Sequence, residues 1–359
     1  MISKCGPSVP YNHSPVMAQE PIDMDLWRDL YEIASRVRAL APWTWMEETD
    51  IFGVEMPEDA GPIFVSVMGA LGEHYAVAVY PDAAAMTALW ALHNDEHASP
   101  EQILEIPQIQ LSFENRRFLE REDLGIVKQL GLKFRGENAW PKFRSYRPGF
   151  APWFLEKSEA TMLHAALEQL LDVGPRLQVD PSPVRASDPQ TYLVRAPRLG
   201  SDGETWTDEF RNIPPVNVSI PRVLPGADAV KQCHALPKVE NGIEVDFFLV
   251  PAPIGDGKAR PLYPYSLLLV ESTSGAIVGQ EMIAVEKSMN DLLCSIPAKL
   301  IDQFKQFGVR PARLTVRPGR LADIVRPTCE ALGIELRTQR KLPQLDPARK
   351  GMLEFLARK

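Results

Sequence analysis

The chain has 359 residues, 39 Lys+Arg against 47 Asp+Glu, a formal net charge of −8, and 45% hydrophobic residues. That length exceeds one ordinary core and suits two domains of about 100 to 200 residues. The composition is globular, and no apolar run approaches the roughly 18 residues that spanning a bilayer requires, which excludes a membrane protein.

Residues 1–22 carry Pro, Ser and Asn without the apolar core of a secretion signal, so a disordered tail is expected, with Met17 or Met24 as the natural start. Leu26, Leu30, Ile33, Val37 and Leu40 recur at three- and four-residue steps, predicting a helix over 25–41 that Pro42 stops. Short β-type runs at 51–56, 62–67 and 74–80 follow, separated by turn sequences that suit an antiparallel meander. An Ala-rich helix to residue 92, a strand over 108–114 and helices over 121–130 and 156–171 complete an α+β domain, residues 23–175. Nine prolines between 175 and 225 argue against long helices and central strands, so 176–238 reads as a proline-rich linker or extended arm in which 192–195 and 216–220 can still pair.

The second domain, 239–359, shows β-type runs at 243–250, 266–271 and 276–283, then a helix over 290–307, a strand over 313–316, a helix over 320–332, a strand over 334–337 and a closing helix over 346–357. The expected order is βββαβαβα. Gly308 and Gly333 stand just past helix ends, where a left-handed residue is wanted, and Asp346-Pro347 reads as an N-cap with proline at the first helical position. Charge divides unevenly: residues 1–238 hold 22 basic and 33 acidic residues, whereas 239–359 hold 17 and 14.

Cys5, Cys233, Cys294 and Cys329 lie far apart and form no C-x-x-C pair, which argues against a zinc ribbon or redox dithiol and fits a reducing cytoplasm. His93 and His97 have zinc-like spacing, but the intervening glutamate is misplaced and no third ligand is evident, so a polar helix terminus is expected there. Cys233-His234 lacks further ligands too. No nucleophile elbow, phosphate loop or dinucleotide fingerprint occurs, and neither catalytic residues, metal nor cofactor are assigned.

Two stretches remain as candidate sites. Residues 133–154 interleave Arg135, Arg144 and Arg147 with Trp140 and Tyr146, a mixture that can grip a nucleic-acid strand or fasten a long segment to the core. Arg313, Arg317, Gly319 and Arg320 surround a turn between a strand and a helix start, where backbone N–H groups favour an anion.

The order of the second domain, its VESTSGAIVG hairpin and its RPARLTVRPG strand and turn resemble the ribonuclease H-like fold of integrases and transposases. The resemblance implies an essential aspartate at that later turn, where carboxylates bridge metal ions. Arg317 stands there instead, and of the family's first-strand acid only Asp246 is a candidate; Glu271, on the second strand, reads as a strand-end carboxylate. Over residues 25–355, the DLWRDLYEIASRVRALAPWTWMEE, WPKFRSYRPGFAPWFLEKSEA and PARLTVRPGRLADIVRPTCEALGIELRTQRKLPQLD segments resemble an uncharacterised bacterial two-domain family. A non-enzymatic binding or adaptor protein with a protein partner is the expectation; a nucleic-acid-binding protein or relic metal-dependent nuclease is the alternative.

Overall fold

The computed structural model describes residues 22–56, 61–95, 100–200, 203–216, 222–257 and 259–357. Among these are eight helices and two sheets, in a mixed α/β chain. It divides into an N-terminal unit, Val16–Pro148 with Pro152–Asn217, and a C-terminal unit, Val218–Lys359 with Gly149–Ala151.

In the N-terminal unit, α1 (Met24–Leu40) starts where Asp23 accepts the Leu26 N–H at 2.8 Å and ends at Ala41, whose φ of 51° turns the chain into Pro42. Strands β1 (Phe52–Glu55), β2 (Pro62–Met68) and β3 (Ala76–Tyr80) form the antiparallel meander. Then come α2 (Ala83–His93), β4 (Gln108–Glu114), α3 (Arg121–Gln129), β5 (Trp140–Tyr146), α4 (Lys157–Val179), β6 (Thr191–Gly200) and β7 (Gly203–Asn212). The sheet order is β5-β4-β3-β2-β1-β6-β7, with β1 and β6 parallel.

Alternating residues of the inner strands serve two cores, as a two-residue side-chain period demands. Ile63, Val65, Val77 and Val79 join α1 and α4, whereas Phe64, Ala78 and Tyr80 join Ala85 and Met86 of α2.

Two segments differ from the sequence expectation. The proline-rich stretch contains a ten-residue-per-strand hairpin, β6–β7, that extends the first sheet, and α5 (Ala227–His234) lies further on. Only Val194 and Arg195 of β6 pair with β1; Pro197 lies beyond that overlap, where the strand has one neighbour and a missing N–H is tolerated. The predicted pairing at 216–220 falls largely on residues outside those described. Residues 140–146, within the aromatic-basic stretch to which no strand is assigned from sequence, are edge strand β5, and the edge position accommodates Pro141.

The hairpin is tied to α4 by Asp208, which accepts from Arg176 Nη1 at 2.6 Å and pairs with Arg195. The Arg176 hydrogen bond, opposed by burial and reinforced by Arg195, holds the Asp208 carboxyl below the ordinary aspartate range. A depressed folded-state pKa contributes stability that is present above the unfolded value of about 3.9 and is lost as pH falls through the folded value. Asp208→Asn is therefore expected to lower stability at about pH 6 and to flatten its decline towards about pH 3, as read from urea melts at the two pH values.

The C-terminal unit runs β8 (Lys238–Leu249), β9 (Tyr265–Glu271), β10 (Ile277–Ile283), α6 (Met289–Phe307), β11 (Arg310–Val316), α7 (Arg320–Leu332), β12 (Glu335–Thr338), α8 (Leu345–Ala357). Its sheet order is β10-β9-β8-β11-β12; β8, β9 and β10 pair antiparallel, and β11 joins β8 and β12 in parallel. Gly308 (φ 80°) and Gly333 (φ 61°) close α6 and α7 in the left-handed conformation. Among the described residues no helix is long and apolar enough to cross a membrane.

Candidate functional site

β8 carries Glu244 and Asp246 two residues apart, so both carboxylates leave the sheet on the face where Phe248 and Val250 pack with Leu345 and Met352 of α8. Each is 5% exposed. A carboxylate so deeply buried costs several kcal/mol unless donors or cations meet it.

Glu244 is met by a helix end. Its Oε2 accepts the N–H groups of Gln344 at 2.9 Å and Leu345 at 2.8 Å, donors that the start of α8 would otherwise leave unsatisfied. Asp246 is met by two guanidiniums. Arg317, in the turn after β11, donates Nε to Asp246 Oδ2 at 3.2 Å, and Arg349 of α8 donates Nη1 to the same oxygen at 3.2 Å. Arg349 lies 4.3 Å from the Phe248 ring centroid, a cation–π contact that fixes its plane.

Arg317 also pairs with Asp346 and donates to the Arg340 carbonyl at 2.5 Å. Burial alone would lower its pKa, but Asp246 and Asp346 outweigh burial and raise it. Asp346 departs from its expected N-cap role: α8 begins one residue earlier, and the carboxylate turns back to accept the Leu342 N–H at 3.1 Å.

The result is a closed electrostatic unit of two carboxylates and two guanidiniums joining β8, β11 and α8. A divalent cation entering beside Asp246 would meet two fixed positive charges within contact distance of its ligand. Among the described residues no group of three His, Cys, Asp or Glu side chains is arranged to hold a metal.

The other residues singled out from sequence are dispersed. Arg313 pairs across strands with Glu335 at 3.2 Å. Gly319 precedes α7 with φ 110°, and Arg320 begins that helix. Glu271 accepts the N–H groups of Thr273 at 3.0 Å and Ser274 at 2.6 Å, so it shapes its own hairpin turn. The Ser274 hydrogen bond leads the effects that hold its carboxyl below the usual range. His93 ends α2 with its ring edge-on to Trp90, and His97 lies outside the described residues. His234 sits between Arg310 Nη1 at 2.8 Å and the Ala331 carbonyl at 3.0 Å, with Cys233 buried beside it in sequence.

In the N-terminal stretch, Arg144 and Arg147 serve helix starts. Glu120 and Asp123 form the capping box of α3, and Glu156 and Glu159 that of α4. Arg144 of β5 bridges the first pair and Arg147, one residue past the strand, the second, so β5 and its exit are pinned to both helices by the acids that cap them. Tyr146 donates to Gln110 at 2.9 Å, Trp140 packs against Phe134, and Arg135 is exposed.

Sequence reasoning missed the partners Glu244 and Arg349. The signal was the alternation Ile243-Glu244-Val245-Asp246: two acids on one face of a strand otherwise built for a core require cations or helix N–H groups opposite.

Similarity to known proteins reaches each unit separately. Solved structures similar to this chain include the HTLV-2 integrase catalytic core domain in complex with magnesium, at 16% identity over 33% of this chain and 71% of that one, with a TM-score of 0.23. Another is the BIV integrase catalytic core domain, at 20% identity over 33% of this chain and 66% of that one, with a TM-score of 0.21. A search of curated proteins finds no match. Residues 27–195 match the family described as Domain of unknown function (DUF7309), and residues 229–353 match that described as Domain of unknown function (DUF6930).

Proposed function

We propose that this chain is a non-enzymatic binding protein of the cytoplasm, an α+β unit followed by a ribonuclease H-like unit whose acidic centre is held by arginine. The βββαβαβα order and the position of β8 between β9 and β11 support the ribonuclease H-like reading. Cys233 and Cys329, both buried free thiols, fit a reducing compartment.

One observation carries the functional reading: Asp246 Oδ2 is shared by Arg317 and Arg349, each at 3.2 Å. Phosphodiester cleavage on such a scaffold needs carboxylates that gather divalent ions to activate water and stabilise the leaving oxygen. Here the first-strand acid is neutralised, and the turn that would supply a second acid supplies its neutralising cation. In this reading the surface of its sheet and helices would serve recognition.

Incubation of the full chain with labelled DNA and RNA in millimolar Mg²⁺ or Mn²⁺ tests this. No cleavage is expected. Metal-dependent cleavage that disappears in Asp246→Ala would overturn the proposal, and retention on nucleic acid falling steeply with salt would redirect it to the nucleic-acid reading.

A further inference from the structure

A cavity of about 760 Å³ opens in the N-terminal unit, within the range of small-molecule sites, about 300 to 1,000 Å³. Its larger apolar side chains include Ile51, Phe64, Met86, Trp90, Tyr192 and Ile213, three of them aromatic. The side chains come from α2, β2, β6 and the segments flanking β1 and the hairpin, so regular elements and connecting segments of one unit assemble the site.

The polar groups in this cavity have a definite sign. Trp90 Nε1 donates to the Tyr192 hydroxyl at 2.8 Å, which orients both rings and leaves the hydroxyl its own proton to donate. Burial raises the Tyr192 pKa, so the phenol stays neutral at ordinary pH. Asp50, 2% exposed, accepts from Arg185 through both oxygens at 2.7 Å, and the two form a neutral pair. Asp188 accepts from the Gln190 N–H at 3.0 Å, Thr191 Oγ1 at 2.8 Å and Asn212 Nδ2 at 3.1 Å, donors that favour its ionised form. Glu47, also in the lining, lies 3.6 Å from the same Arg185 guanidinium, so the lining holds three carboxylates and one guanidinium. The surplus is negative.

We propose that this cavity is a binding site for a flat, largely apolar small molecule that carries a cationic amine. The aromatic walls take the ring, the Tyr192 hydroxyl donates to an acceptor on it, and Asp188 and Glu47 favour the ammonium. A cation beside Trp90 and Tyr192 gains further from the negative ring faces. An anion of the same shape loses both contributions.

The test is calorimetric titration of the full chain with three ring-matched probes: tryptamine, 3-methylindole and indole-3-acetate, respectively cationic, neutral and anionic. Tryptamine is expected to bind up to about fivefold more tightly than 3-methylindole, the gain of an exposed ion pair, with indole-3-acetate weakest. Asp188→Asn should narrow the interval between tryptamine and indole-3-acetate. Ala91→Trp, at an exposed lining position of α2, should block the opening and abolish binding while circular dichroism shows the fold intact. The proposal is overturned if all three probes bind more weakly than about 10 mM. Equal affinity for the three probes, preference for the anion, or unchanged binding in folded Ala91→Trp would overturn it equally.

Discussion

Arg144→Ala is expected to remove about 3–5 kcal/mol from the stability of the N-terminal unit, the characteristic loss when one member of a buried ion pair is deleted. Arg144 and Asp123 are each 4% exposed. The guanidinium reaches Asp123 through Nη1 at 2.9 Å and Nη2 at 2.7 Å, reaches Glu120 at 2.9 Å, and lies 4.6 Å from the Phe154 ring centroid. With the arginine gone, the Asp123 carboxylate remains buried and keeps the Glu120 N–H, at 2.9 Å, as its capping donor. Adding Asp123→Asn should recover part of the loss, because a neutral amide is cheaper to bury than a carboxylate. The measurement is selective: all seven tryptophans, the last of them Trp206, fall within the N-terminal unit, so their fluorescence follows that unit through denaturant.

Arg317→Ala is expected to cost the C-terminal unit about 2–3 kcal/mol, less than the Arg144 change because Arg349 continues to neutralise Asp246. Asp246 also keeps the Phe247 N–H at 3.0 Å. Arg317→Lys should restore little. A single ammonium cannot reproduce a planar fork that spans Asp246, Asp346 and the Arg340 carbonyl together. Far-UV circular dichroism should register the change while the tryptophan transition stays in place, which separates a local effect from general unfolding.

Where neighbours in sequence decide the structure, the sequence was legible. The three- and four-residue stripe of α1 and the glycines closing α6 and α7 depend on a few adjacent side chains or on φ. It was less legible where position in a sheet overrides local preference. Pro141 and Pro197 argue against strands in isolation, and both are tolerated because β5 is an edge strand and the outer half of β6 has one neighbour. The candidate site divides in the same way. Arg317 was visible because the resemblance to the ribonuclease H-like fold implies a carboxylate at that turn, but its partners converge from sequence separations of 71 and 29 residues. Arg144 and Arg147 looked like a charged surface because their capping acids lie on other elements.

In the proposed reading arginine holds the place of a divalent ion beside Asp246, and Mn²⁺ titration of the full chain, followed by electron paramagnetic resonance and compared with Asp246→Asn, tests this most directly. The expected result is no binding component that depends on Asp246. A stoichiometric Mn²⁺ site present in the native protein and absent from Asp246→Asn would contradict it.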